Sequence, residues 1–146
     1  MSLETYIDRL EQFAARVGAP VCRNPLARGV FGRAEESAIV LRSGLSLEQQ
    51  LLTLAHELTH LIAHFNARPS LNRTVCEYEA EAVERWVGTA LSVAPYADAP
   101  HADLTDDLLA CSVVRVRWAA NTLVSAARGT LNAEPEVLQP QSAVKI

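Results

Sequence analysis

The stretch Leu51–His64, "LLTLAHELTHLIAH", sets three histidines and a glutamate into the most apolar helical segment of the chain. Just upstream, Ser46 opens "SLEQ", a capping-box pattern in which the serine hydroxyl accepts from the backbone N–H of Gln49 while the glutamine side chain reaches back. The helix is therefore expected from about Leu47 to Phe65. At about 100° per residue, Leu47, Leu51, Leu54, Leu58, Leu61 and Phe65 make one apolar stripe, and His56 and His60 fall four apart on the opposite side. Two imidazoles at that spacing can aim nitrogens at one point about 2 Å from each, which is what a tetrahedral zinc ion requires. Glu57 lies beside them and can act on a water without becoming a ligand. This is the HExxH arrangement, in which zinc acidifies its water and the glutamate takes the proton as a carbonyl is attacked. A chance HExxH would still fold, but a histidine pair and a carboxylate in apolar surroundings are costly unless a metal or a hydrogen-bond network satisfies them.

The third ligand must come from elsewhere. His64 lies eight residues and about 12 Å along the helix from His56, too far for three rings to share one ion, so it is expected to be partly exposed or to support a ligand from behind. A longer HExxHxxGxxH site is excluded, because Ala63 and Asn66 stand where its glycine and last histidine would be. A second helix, expected from Val75 to about Val93, carries "CEYEAEAVERWVG", with Glu77, Glu81 and Glu84 on one face and Ala80, Val83, Val87 and Leu91 on another. Glu77 through Glu81 fits an ExxAE pattern, in which the first glutamate binds zinc and the acid one turn later holds a ligating histidine in its tautomer and orientation. Glu77 is thus the expected ligand and Glu81 the supporting acid. Glu79, turned about 160° from Glu81, is expected to be solvated.

These segments, "GVFGRAEESAIVLRSGLSLEQQLLTLAHELTHLIAH" and "CEYEAEAVERWVGTALSV", resemble the ImmA/IrrE-like zincin metallopeptidases, and among them the small metallopeptidase domains related to the C-terminal part of the ArdC antirestriction protein. The resemblance covers about Gly29 to Leu91. It implies a minimal zincin-like α+β fold, mainly helical with a small β-sheet beside the active-site helix. It further implies zinc held by His56, His60 and Glu77, with Glu57 as general base. Longer members carry a helix-turn-helix or another regulatory domain, for which this chain has no room.

The remaining sequence fits that picture. With 146 residues, 49% hydrophobic and 21% charged, the chain suits one compact domain. A net charge of −4 leaves no electrostatic footprint for nucleic acid or a membrane surface. There is no signal-peptide pattern and no apolar run of spanning length, so a cytoplasmic location is expected. Cys22, Cys76 and Cys111, widely spaced and without CxxC, read as reduced core thiols. A first helix is expected from Leu3 to Val17, stopped by Gly18 and Pro20, and a last one from about Asp106 to Ala127 with Thr105 as its N-cap. Between the first two helices, breakers at Gly29 and Gly32, a polar turn at Glu35–Ser37 and the apolar run Ala38–Leu41 predict a short hairpin or meander. Ala38–Leu41 is either an edge strand that clamps an extended peptide or an ordinary core strand. The domain is expected to span residues 1–129, with 130–146 a mobile or loosely docked tail.

Tyr78, Tyr96 and His101 are candidate donors to an oxyanion or a substrate, although such residues more often pack or cap. Trp86 and Trp118 read as core or interface anchors, and Arg115 and Arg117 as solvated charges. Two functions stay open. One is a zinc endopeptidase acting on a protein or peptide, such as a regulator. The other is a non-catalytic, metal-stabilised interaction or antirestriction-type module of phage or plasmid origin. An intact Glu57 favours the first, since a structural zinc site has no need of a base and closes its fourth position with protein.

Overall fold

A computed structural model describes residues 1–65, 72–93 and 106–131, and of 106–112 the backbone alone. The architecture is α+β: helices α1 (Leu3–Arg16), α2 (Leu47–Thr59), α3 (Arg73–Ala90) and α4 (Asp106–Arg128), and strands β1 (Val21–Asn24), β2 (Gly32–Glu35) and β3 (Ala38–Arg42). Thr105 and residues 132–146, assigned from sequence to a cap and a tail, lie outside the described residues.

Helix α2 is the centre of the molecule, packed by α1 and α3 on its flanks and by β2 and β3 on a further side, while α4 joins α1 and α3. Its start is the expected capping box, with the Ser46 hydroxyl accepting from Gln49 N–H and the Gln49 side chain accepting from Ser46 N–H. Because partners lie all round it, Leu51, Leu52, Leu54, Ala55 and Leu58 are fully buried, well beyond the single stripe read from the periodicity. Leu47, at the outer end of that stripe, is 37% exposed. The helix opens to solvent in its second half only partially, at His56 and His60.

Two local features depart from the sequence reading. At His60 the α-helix widens into a π turn, His60–His64, closed by the Phe65 N–H donating to the His60 carbonyl. The sheet has the order β1-β3-β2, with β1 parallel and β2 antiparallel to β3. Ala38–Leu41 therefore belongs to the central strand, and the edge reading is corrected: Ile39, Val40 and Leu41 are buried, as a strand paired on both sides and covered by α2 must be. The edge next to α2 is β2. At Gly32 that edge comes so close that an added Cβ would sit 2.6 Å from Thr53 Cγ2 and 3.1 Å from Glu57 Cγ. Only glycine permits this approach. Glycine also lets α3 close on α2 at Gly88, where a Cβ would meet Leu52 Cδ2 at 3.0 Å.

Candidate metal centre

Helices α2 and α3 run antiparallel, so each step forward along α3 meets an earlier turn of α2. Glu77, near the start of α3, faces the pair His56 and His60. Its Oε2 lies 3.2 Å from His56 Nε2 and its Oε1 3.0 Å from His60 Nε2. The two rings stand edge to face, with centroids 5.0 Å apart. One ligand atom from each of the three residues lies within 4.8 Å of the other two. Ligand atoms around a tetrahedral zinc with bonds near 2.0–2.1 Å are about 3.3 Å apart, which matches the nitrogen-to-carboxylate separations here.

The electrostatics of the cluster also call for a cation. His56 Nδ1 is 3.0 Å from Glu84 Oε1, so this imidazole stands between two carboxylates. A neutral ring has one N–H and can satisfy only one of them; the other nitrogen needs a proton or a metal. Burial lowers the His56 pKa, but hydrogen bonds to Glu77 and Glu84 and the charges of Glu57 and Glu84 outweigh it and raise the value to about 10. The same hydrogen bonds from His56 and His60 hold Glu77 far below the usual carboxylate range. Without a metal, the site takes up a proton to supply the missing positive charge. The donor set thus fits zinc: two imidazole nitrogens, one carboxylate, and further acidic groups around them.

Glu57 is 7% exposed and lies beside the cluster against β2. Burial raises its pKa; His56 and His60 pull it back, and Glu77 and Glu84 reinforce the rise. A carboxylate shifted upward is better matched to accepting a proton near neutral pH than an ordinary glutamate.

Residues 11–99 match the family described as the IrrE N-terminal-like domain, a peptidase family. The chain belongs to that family. The match spans more than half of the chain and contains both site helices, so this is a metallopeptidase-type domain. No curated protein and no solved structure matches. Among the described residues of this IrrE-like domain, no helix is long and apolar enough to cross a membrane.

The surroundings of the site differ from the sequence reading in several places. The acid bonded to His56 is Glu84, not Glu81. On a helix, Glu84 lies seven residues and about −20° from Glu77, whereas Glu81 lies about +40° away and one turn short of the outer nitrogen of His56. The E-x6-E spacing is the signal that carries this placement. Glu79, read as solvated, is 1% exposed and lies 2.9 Å from His64 Nε2. Arg115, also read as solvated, donates to both Glu79 oxygens, from Nε at 3.0 Å and from the terminal nitrogen at 2.7 Å. His64 is buried, with Nδ1 2.9 Å from His60 Nδ1, so of its two expected positions it takes the one behind the HExxH histidine His60. No local pattern marks the Glu79–Arg115 pair, because it joins residues 36 apart on different helices.

Tyr78 is half-buried on α3 and turned about 100° from Glu77; Tyr96 and His101 lie outside the described residues. Cys22 and Cys76 form no disulfide among the described residues, and Cys22 is exposed rather than in the core. Trp86 is 40% exposed on α3, whereas Trp118 packs against the core.

Proposed function

We propose that this chain is a zinc-dependent peptidase that hydrolyses a peptide bond of a protein substrate, with His56, His60 and Glu77 as metal ligands and Glu57 as general base. The observation that carries the reading is the convergence of Glu77 on both histidines with the buried, upward-shifted Glu57 next to them. A bound zinc supplies Lewis acidity, lowering the pKa of a coordinated water and polarising the scissile carbonyl. Glu57 accepts the proton of the attacking water and passes it to the leaving amine. Glu84 holds His56 by its Nδ1, which keeps Nε2 directed at Glu77 and the metal.

The substrate would lie along β2 rather than along β3. Among the described residues nothing pairs with the outer edge of β2, and Gly32 brings this strand against the base, so an extended peptide added there passes the site. Cys22 and Cys76, in no disulfide among the described residues, suit a reducing compartment such as the cytoplasm.

The test compares zinc-loaded wild type with Glu57→Gln on a library of proteome-derived peptides, reading new N-termini by mass spectrometry. The variant should bind zinc like wild type and produce no new termini. Equal cleavage by the two proteins would remove Glu57 from the chemistry, and absence of cleavage by wild type would favour the metal-stabilised interaction module.

A further inference from the structure

The two histidines of the HExxH helix are supported differently. His56 Nδ1 meets a carboxylate directly, at Glu84, but His60 Nδ1 meets another imidazole. Behind that imidazole the contacts continue inward, from His64 Nε2 to Glu79 and from Glu79 to Arg115 on α4. The chain is buried where it matters, with side-chain exposures of 4% at His64, 1% at Glu79 and 13% at Arg115. It crosses three elements: the π turn, α3 and α4.

The protons in this chain can be assigned from its far end. Arginine stays charged, and its bidentate grip keeps Glu79 ionised and purely an acceptor. His64 must then place its N–H on Nε2, facing Glu79. Because Arg115 already balances the charge of Glu79, His64 is taken as neutral; its one N–H is used at Nε2, and Nδ1 is a lone pair aimed at His60 Nδ1 from 2.9 Å. Two lone pairs at that distance repel, and His60 therefore carries its proton on Nδ1. Its Nε2, 3.0 Å from Glu77 Oε1, is then the nitrogen left to hold a proton or a metal shared with that carboxylate.

We infer that His64, Glu79 and Arg115 are positioning residues that set the tautomer and orientation of His60 through a buried imidazole-to-imidazole hydrogen bond. The π turn belongs to the device, since it occupies the segment His60–His64 that presents both rings to one another. The inference rests on the reading that His60 is a metal ligand. Arg115 and Glu79 never touch the metal; they act on it through two rings.

Two measurements test this. The first uses wild type loaded with Zn²⁺ and reads imidazole nitrogens by ¹⁵N NMR: His60 should be protonated at Nδ1 and His64 at Nε2. A His64 protonated at Nδ1 would overturn the relay whatever any variant does. The second compares Zn²⁺ affinity, by competition with a chromophoric chelator, in His64→Asn and His64→Gln. Asparagine places its amide oxygen near the Nδ1 position and keeps the acceptor for His60. Glutamine places its amide near Nε2, keeping contact with Glu79 but losing that acceptor. The glutamine variant should lose about 10–100-fold in Zn²⁺ affinity, and the asparagine variant should stay closer to wild type. A role in packing alone predicts the reverse order, since asparagine removes more volume; that order, or unchanged affinity in His64→Gln, would refute the relay. Failure of wild type to bind Zn²⁺ would overturn the metal reading and the relay together, whereas tight wild-type binding with an unaffected His64→Gln would overturn the relay alone.

Discussion

Replacing Gly32 by alanine tests how closely β2 is fitted to the base. The backbone at Gly32 is not left-handed, so the cost of the substitution is steric. The new Cβ would lie 2.6 Å from Thr53 Cγ2 and 3.1 Å from Glu57 Cγ. Carbon atoms prefer about 3.5–4.0 Å, leaving a shortfall of roughly 1 Å at Thr53 and about half that at Glu57. Thr53 is β-branched, 4% exposed and on a helix packed on every side, so it cannot retreat and the strand or the Glu57 side chain must move. Overpacking of this kind costs about 1–3 kcal/mol, and the stiffer unfolded chain returns about 0.4–1 kcal/mol. The net loss of about 1–2 kcal/mol corresponds to a midpoint about 3–8 °C lower in thermal denaturation of metal-free protein. Cleavage should fall as well, by about 10-fold and at most about 100-fold, since the base is pushed by about half of the roughly 1 Å misplacement that costs about 100-fold. Thr53→Ser removes the clashing methyl, so the double variant should regain most of the stability while cleavage recovers only in part, the contact with Glu57 remaining. An unchanged midpoint in Gly32→Ala, or no rescue by Thr53→Ser, would refute the close fit.

Val40→Pro should unfold the protein rather than silence it. Arg42 N–H donates to Phe31 O on the β2 side, and by alternation Val40 N–H faces the same strand, so proline breaks the central ladder; circular dichroism of the variant checks this. The pH dependence has opposite signs with and without metal. In metal-free protein the raised pKa of His56 contributes stability that is complete below about 6.5 and lost as pH rises through about 10. The lowered pKa of Glu77 contributes stability present above about 4.5 and lost as pH falls further. Zinc must displace the His56 proton, so its affinity should rise by up to about tenfold per pH unit, and the gain in thermal midpoint on adding Zn²⁺ should be larger at about pH 8 than at about pH 6.

What could be read from the sequence was local. The capping box, the start of α2 and the shared direction of His56 and His60 depend on residues within one or two turns, where helix geometry is enough. The apolar run at Ala38–Leu41 marks a strand, but its central place depends on pairing with both Val21–Asn24 and Gly32–Glu35, and β1, with three of its four residues exposed, carries little strand signal. A sequence pattern treats α3 alone and so points to Glu81; the approach of α2 decides that Glu84 reaches the outer nitrogen of His56. Glu79 and Arg115 read as solvent-facing charges for the same reason. Each is buried by the other, and a charge that is costly alone becomes acceptable only when the partner helix supplies the opposite sign.

The central claim is that His56, His60 and Glu77 form one zinc site, and metal content tests it most directly. Protein stripped of metal, reloaded with Zn²⁺ and desalted should hold one zinc per chain in wild type and essentially none in folded His60→Ala or Glu77→Ala. Full zinc retention by either variant would contradict the assignment.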